Sequence, residues 1–319
     1  MTVYARRKEN PAGARTNRAA LIGIGSMGLG MAMSLRRAGF EVAGFDVDAA
    51  AVARLVDEGG RGAASPAEAA EGADVVVSVV VNAAQTEAIL FGANGVAETM
   101  AEGAVFVSSA TIDPDVVRRL ATPLEATGRL YLDAPISGGS VRAAEGALTV
   151  LASGSPAAFA RARPALDAIA TNVYELGDEP GVGAAFKMIN QLLAGVHIAA
   201  ASEAIAFAAR QGLDIRKVYE VITASAGNSW MFENRVPHVL DGDYTPRSAV
   251  DIFVKDLGII QDMARSAKFP VPVAAAALQM FLATSAAGMG RDDDASVARL
   301  YAKITGTELP PPANLTKPA

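Results

Sequence analysis

The chain of 319 residues contains no cysteine and only two histidines, His197 and His238. Without cysteine there are no disulfides, no thiolate metal ligands and no cysteine nucleophile. Two histidines are too few for a multi-histidine centre, so no metal is expected. A secreted, disulfide-stapled scaffold is excluded, and a cytoplasmic protein fits. A positive charge excess is lacking as well. Lys and Arg number 28 against 34 Asp and Glu, a net charge of −6, which offers no global attraction for nucleic acid. Long lipid-compatible runs are almost absent. The one candidate, Leu192–Ala209, is largely alanine and is interrupted by His197, Ser202 and Glu203. It reads as a buried helix, so no membrane partner is expected. The first 18 residues carry Arg6, Arg7, Lys8, Arg15 and Arg18 without the apolar stretch of a signal peptide. They read as a flexible leader.

Apolar material is plentiful at 51% of residues, enough for two modest cores. In the first half, short apolar runs alternate with helical patterns. Ala19–Ile24, Glu41–Phe45, Asp74–Val80, Ala104–Val107 and Leu130–Leu132 read as strands. Met27–Arg37, Ala49–Glu58, Ala83–Leu90 and Pro114–Ala126 read as the helices between them. Repeated strand–helix units imply a parallel sheet covered on both faces. Two more strands, Ala147–Ala152 and Asn172–Glu175, flank a helix at Pro156–Ile169. After Gly177 the pattern becomes helical: Gly181–Gln211, Asp214–Thr223, Val250–Ala267, Val271–Ala287 and Asp294–Ile304. The expected fold is α/β, a Rossmann-type doubly wound sheet followed by an all-α C-terminal domain. The expected division is a leader at 1–18, a nucleotide-binding domain at 19–178, a helical substrate and oligomerisation domain at 179–309, and a flexible tail at 310–319.

Gly23-Ile24-Gly25-Ser26-Met27-Gly28 follows the first strand and opens the first helix. In such a turn the first glycine permits the sharp bend, the second admits a pyrophosphate close to the backbone, and the third lets helix pack on strand. Free amides at the helix start then hold the phosphates. Asp46, at the end of the second strand, can accept both ribose hydroxyls of NAD, and its charge would repel the 2′-phosphate of NADP. The alternative is that Asp46 only caps the following helix. NAD is the expected cofactor.

Asp133-Ala134-Pro135-Ile136-Ser137-Gly138-Gly139-Ser140 also follows a strand. Paired glycines expose backbone amides and Ser137 adds a hydroxyl, so the loop can bind a carboxylate; an ordinary strand-end turn is the alternative. On the helix from Gly181, Lys187 and Gln191 share a face, with Asn190 on its flank. A lysine among Phe186, Met188, Ile189, Leu192 and Leu193 either snorkels to water or lines a cleft. In a cleft, desolvation favours the neutral amine, which suits proton exchange with a hydroxyl. The cluster Asn228, Ser229, Asn234 and Arg235 is suited to hydrogen-bonding a polyol or, alternatively, to capping helices. Trp230, Met231 and Phe232 read as core or interface, and His197 reads as structural.

Taken together these motifs resemble the 3-hydroxyisobutyrate dehydrogenase (β-hydroxyacid dehydrogenase) family, related to 6-phosphogluconate dehydrogenase. Its GxGxMG turn matches Gly23–Gly28, its DxPxSGG loop Asp133–Gly139, its GxGxxxK helix Gly181–Lys187, and its KDL motif Lys255-Asp256-Leu257. The resemblance implies that Lys187 is the catalytic acid/base and that Ser137, Gly138 and Gly139 bind the substrate carboxylate. It further implies that Val81, Asn82 and Thr111 lie near the nicotinamide end of the cofactor and that Lys255 reaches toward it. Gln191 stands where the family usually has asparagine; its extra methylene implies a shifted pocket. The segments Lys187–His197, Gly227–Arg235 and Asp241–Pro246 are most similar to the L-threonate dehydrogenase branch. This branch implies NAD-dependent oxidation of L-threonate or a similar four-carbon acid. Asn190, Gln191 and Asn228 are then candidate substrate contacts beside Ser137. A 3-hydroxyisobutyrate dehydrogenase, a tartronate semialdehyde reductase and a catalytically silent NAD-binding protein are the alternatives. Apolar residues on most faces of the Gly181–Gln211 helix suggest a second subunit, as a homodimer or homotetramer.

Overall fold

The structure, a computed structural model, describes residues 2–3 and 17–311. The leader expected at 1–18 and the tail expected at 310–319 fall almost wholly outside the described residues. The chain divides into two compact units, residues 1–187 and 188–319. The division falls inside a long helix and not at the change of pattern near Gly177–Gly181.

In the first unit, successive strand residues point to opposite faces, and both faces are covered. Its elements run β1 (Thr2–Val3), β2 (Arg18–Ile22), α1 (Ser26–Arg37), β3 (Glu41–Phe45), α2 (Ala49–Asp57), β4 (Arg61–Gly62), α3 (Pro66–Ala70), β5 (Val75–Ser78), α4 (Ala83–Phe91), β6 (Val105–Ser108), α5 (Pro114–Glu125) and β7 (Leu130–Asp133). Six strands form a parallel sheet in the order β4-β3-β2-β5-β6-β7. On one face Ala19, Leu21, Val75, Val77, Val105 and Val107 pack with Met31 and Leu35 of α1 and Leu55 of α2. On the other, Ala20, Ile22, Val76 and Phe106 pack with Ile89 and Leu90 of α4 and Val117, Leu120 and Leu124 of α5. The two-sided burial is why these strands read as unbroken apolar runs. The short β4 and α3 carry too little pattern to be seen in the sequence.

Beyond β7 the chain forms β8 (Ile136–Ser137), α6 (Gly139–Glu145), β9 (Leu148–Ala152), α7 (Pro156–Ile169) and β10 (Ala170–Glu175). The strands expected near 147–152 and 172–175 are present, but in a second sheet of order β1-β10-β9-β8. Pro135 has no N–H to extend the ladder, and the chain reverses so that β8 pairs antiparallel with β9. The loop expected at Gly138–Gly139 is the start of α6. Both glycines have positive φ, 136° and 78°, a region that side-chain-bearing residues avoid.

α8 (Val182–Arg210) begins in the first unit and continues into the second, whose other helices are α9 (Ile215–Thr223), α10 (Trp230–Asp241), α11 (Val250–Ser266), α12 (Pro272–Thr284) and α13 (Val297–Thr305). One core joins Ile198 of α8 with Phe253 and Leu257 of α11 and Phe281 of α12. Another joins Ile205 of α8 with Phe232 and Val236 of α10 and Ala298 of α13. α10 was not expected, because Pro237 lies within it and the polar run Glu233–Arg235 interrupts its apolar pattern; Ser229 caps it by accepting from Phe232 N. The helix expected over 271–287 ends at Thr284 and passes into a wider turn at Ser285–Met289, where Gly288 takes positive φ. By length and composition α8 and the stretch 272–289 could each cross a membrane. Half of the apolar window in α8 is buried in the fold, as a core helix requires.

Candidate active site

Strand register sets the site. Ile22 pairs with Phe45 and with Ser78, Ser78 with Ser108, and Ser108 with Asp133. The carboxyl ends of β3, β2, β5, β6 and β7 therefore finish level with one another. Gly23, Asp46, Val81, Asn82, Thr111 and Ser137 all follow these ends within a few residues. The chain runs from β2 outward to β3 and then returns to β5 on the other side of β2, so the strand order reverses there. Such a reversal leaves a crevice at the strand ends.

The three glycines of the turn differ in what surrounds them. Gly23 has φ +92°, and a Cβ on it would lie 2.6 Å from Val79 O. A Cβ on Gly28 would lie 1.9 Å from Gly23 O, so the helix can seat on the turn only with glycine there. Around Gly25 a Cβ would meet nothing within 4 Å. Gly25 is the N-cap of α1; among the described residues no side chain caps this helix, and its first turn holds no acidic residue. Its free amides and positive dipole end suit the pyrophosphate of a dinucleotide. Asp46 belongs to the same turn: Oδ2 accepts from Ile24 N at 2.6 Å and Oδ1 from Asp48 N at 2.9 Å. The cap of α2 is Asp48, which accepts from Ala50 N. Capping is therefore not what places Asp46. Val81 and Asn82 lie at the start of α4: Asn82 Oδ1 accepts from Gln85 N, and Val81 N donates to Gln85 Oε1. Thr111 is half-buried.

Lys187 is 6% exposed, and its Nζ donates to Ile136 O at 2.9 Å. The residue next to that carbonyl is Ser137, so Lys187 Nζ lies beside the start of the Ser137–Gly139 segment. The helix carrying Lys187 is held at its beginning by Asp133. One oxygen, Oδ2, accepts from Gly181 N at 3.0 Å, Ala184 N at 2.8 Å and Ser153 Oγ at 3.3 Å. Ser153 Oγ in turn accepts from Gly183 N at 2.9 Å. Three amides of the helix start, which would otherwise be orphaned, are thus satisfied from the sheet. Burial pushes the Asp133 carboxyl up to about 6, and the amide hydrogen bonds oppose the rise. In the sequence Asp133 marked only the beginning of a motif. The one hint of its role was a glycine-rich helix start lacking a cap of its own.

In the second unit Gln191 is buried, and its Nε2 donates to Asp256 Oδ2 at 2.5 Å. Its Oε1 accepts from Asn190 Nδ2 at 3.0 Å. Asp256 is fully buried and also pairs with Lys255. The cluster around Asn228 is engaged within this unit. Asn228 Nδ2 donates to Thr223 O and Glu233 Oε1, Ser229 caps α10, and Arg235 forms a two-pronged pair with buried Asp294. Asn228 Oδ1 is buried without a protein partner among the described residues. His238 is likewise buried and bonds to Asp293.

The family model described as the NAD binding domain of 6-phosphogluconate dehydrogenase matches residues 18–177. The one described as the NAD-binding domain of NADP-dependent 3-hydroxyisobutyrate dehydrogenase matches residues 181–301. The chain belongs to the 3-hydroxyisobutyrate dehydrogenase family. The L-threonate dehydrogenase of Cupriavidus necator is 54% identical over 91% of this chain and 97% of that protein. The L-threonate dehydrogenase of Escherichia coli K12 is 50% identical over 89% and 95%. Among solved structures, a 3-hydroxyisobutyrate dehydrogenase from Salmonella typhimurium is 52% identical with a TM-score of 0.85, covering 89% of this chain and 99% of that one. These relatives place the chain in the L-threonate dehydrogenase branch, among NAD-dependent oxidoreductases acting on the CH–OH group of a hydroxy acid.

Proposed function

We propose that the chain oxidises L-threonate with NAD, at the carbon beside the carboxylate, to 2-oxo-tetronate (2-dehydro-L-erythronate). The observation that carries this reading is the buried Lys187 Nζ against the carbonyl next to Ser137. It puts a proton-exchanging amine beside a loop suited to an anionic head group. When bound, NAD supplies the hydride acceptor. Ser137, Gly138 and Gly139 hold the substrate carboxylate, and Lys187 takes the proton of the hydroxyl under oxidation. Gly23, Gly25, Ser26, Met27 and Gly28 cradle the pyrophosphate, and Asp46 receives the adenosine ribose. Val81, Asn82 and Thr111 lie toward the nicotinamide end, and Lys255 is the second unit's candidate cofactor contact. Asn190, Gln191 and Asn228 are the candidate substrate contacts of the second unit. Relatives named L-threonate dehydrogenase support the choice of acid.

Domain roles follow the same reading, with nucleotide binding in 19–178 and substrate binding and oligomerisation in 179–309. The protein acts in the cytoplasm as a homodimer or homotetramer. Exposed Phe186, Ile189, Leu193 and Phe207 along α8 support a second subunit, since each is at least 49% exposed in the single chain.

A spectrophotometric panel of four-carbon sugar acids and 3-hydroxy acids with NAD and NADP tests the proposal. NADH formation with L-threonate is expected; turnover confined to 3-hydroxyisobutyrate would refute the choice of acid.

A further inference from the structure

The hydrogen bonds around Gln191 have a polarity that can be followed atom by atom. Asp256 pairs with Lys255 through Oδ1 and accepts from Gln191 through Oδ2. An ionised carboxylate only accepts, so Gln191 must turn its NH2 toward Asp256. Its carbonyl oxygen then faces the other way and accepts from Asn190. Asn190 must therefore spend its NH2 on Gln191, which leaves its Oδ1 pointing away from the relay. Asn190 itself is half-buried, three residues beyond Lys187 on α8. Asparagine at position 191 would be a methylene too short to join Asn190 to Asp256, so the departure from the usual family residue is what closes the relay.

We propose that Gln191 is a positioning residue that orients the Asn190 amide so that it offers substrates a hydrogen-bond acceptor, selecting acids that bear an extra hydroxyl. A hydroxyl donates to that oxygen. A carboxylate or sulfonate meets it with repulsion, and a methyl group leaves it unsatisfied. An acceptor that a substrate must satisfy discriminates more sharply than an apolar pocket. This inference rests on the proposed L-threonate activity and names the residue pair that makes it selective for the extra hydroxyl.

The test is selectivity, read as the ratio of kcat/KM between an acid and its deoxy analogue. L-threonate and D-erythronate are each compared with analogues lacking the C3 or the C4 hydroxyl, using wild type, Asn190→Leu and Gln191→Leu. Wild type should favour one fully hydroxylated acid over a deoxy analogue by roughly tenfold or more, the worth of one good hydrogen bond. Asn190→Leu should bring that ratio near one. Gln191→Leu should lower it in the same direction, because the amide is then free to turn. A loss of activity shared equally by acid and analogue would mean that the two residues only support the fold, and would overturn the proposal. So would a wild type that turns over 3-hydroxyisobutyrate as well as any polyhydroxy acid. Oxidation of D-erythronate but not L-threonate would refute the substrate named above while leaving the ratio to decide this inference.

Discussion

Lys187 Nζ and the carbonyl oxygen of Ile136 stand 2.9 Å apart, joining residues 51 positions apart in sequence. Ile136 supplies a fixed acceptor, so the amine is oriented before any substrate arrives. Preorganisation of this kind lets a proton-transfer group act without first having to be ordered.

Removing the amine should therefore remove chemistry and spare binding. Lys187→Ala is expected to lower kcat by roughly 10²- to 10⁴-fold. The Kd for NAD, measured by fluorescence titration, should stay within about twofold of wild type. Unchanged turnover would refute the acid/base role.

The glycine turn offers a pair of substitutions with opposite signatures. Gly25→Ala places a methyl in open space at an ordinary φ of −68°. Stability should stay within about 0.5 kcal/mol of wild type, while NAD affinity falls because the methyl occupies the approach of the pyrophosphate. Gly28→Ala drives a methyl into Gly23 O and should cost roughly 1–3 kcal/mol in urea unfolding. If Gly25→Ala bound NAD as tightly as wild type, the pyrophosphate would have to lie elsewhere.

Under the proposed function, Asp46 is the residue that chooses between the two nicotinamide cofactors. Asp46→Ala should reduce the ratio of kcat/KM with NAD to that with NADP by roughly tenfold, equivalent to about 1.4 kcal/mol. Steady-state kinetics with both cofactors read this directly. An unaltered ratio would count against ribose recognition at Asp46.

Asp133 makes a prediction in pH. Burial raises its carboxyl from 3.8 to about 6, so between those values the folded protein holds a proton that the unfolded chain has lost. Stability from this group is complete below pH 3.8 and is lost as pH rises through about 6. The full change is at most roughly 3 kcal/mol. Asp294, also raised to about 6 by burial, contributes in the same direction. The difference between wild type and Asp133→Asn therefore isolates Asp133. All three donors meet Oδ2, and Oδ1 is buried without a partner among the described residues. Asparagine should therefore keep the contacts and abolish the step in the pH–stability curve. Asp133→Ala orphans the donors, and both Tm and kcat should fall.

Arg235 and Asp294 form a buried pair in which the carboxylate is fully enclosed. Arg235→Leu leaves that charge unpaired and should cost about 3–5 kcal/mol by urea unfolding. Adding Asp294→Leu should recover part of the loss. Equal stability of the single variant and wild type would contradict the pairing.

Much of this was legible in sequence because its signals are local. β3 falls at Glu41–Phe45, as its apolar run implied, and the glycine turn announces its own bend. Lys187 stood out as a cation within an apolar helix. Other features are set by partners far along the chain. Asp133 meets Gly181 across 48 positions and Gln191 meets Asp256 across 65, and no spacing rule connects either pair. The two-residue β8 and the helix α10 with its internal proline were hidden for another reason. One is too short to show a period, and the other combines its internal proline with the polar run Glu233–Arg235.

The division of the chain between Lys187 and Met188 has a consequence for how such proteins can be recombined. A chimera joined where the composition changes, near Gly177–Gly181, would take its lysine from one parent and Ile136, Ser137 and Asp133 from the other. The amine and the loop that holds it would no longer share an origin. A junction a full turn or more after Lys187 keeps them together, even though it must be cut through the middle of an unbroken helix.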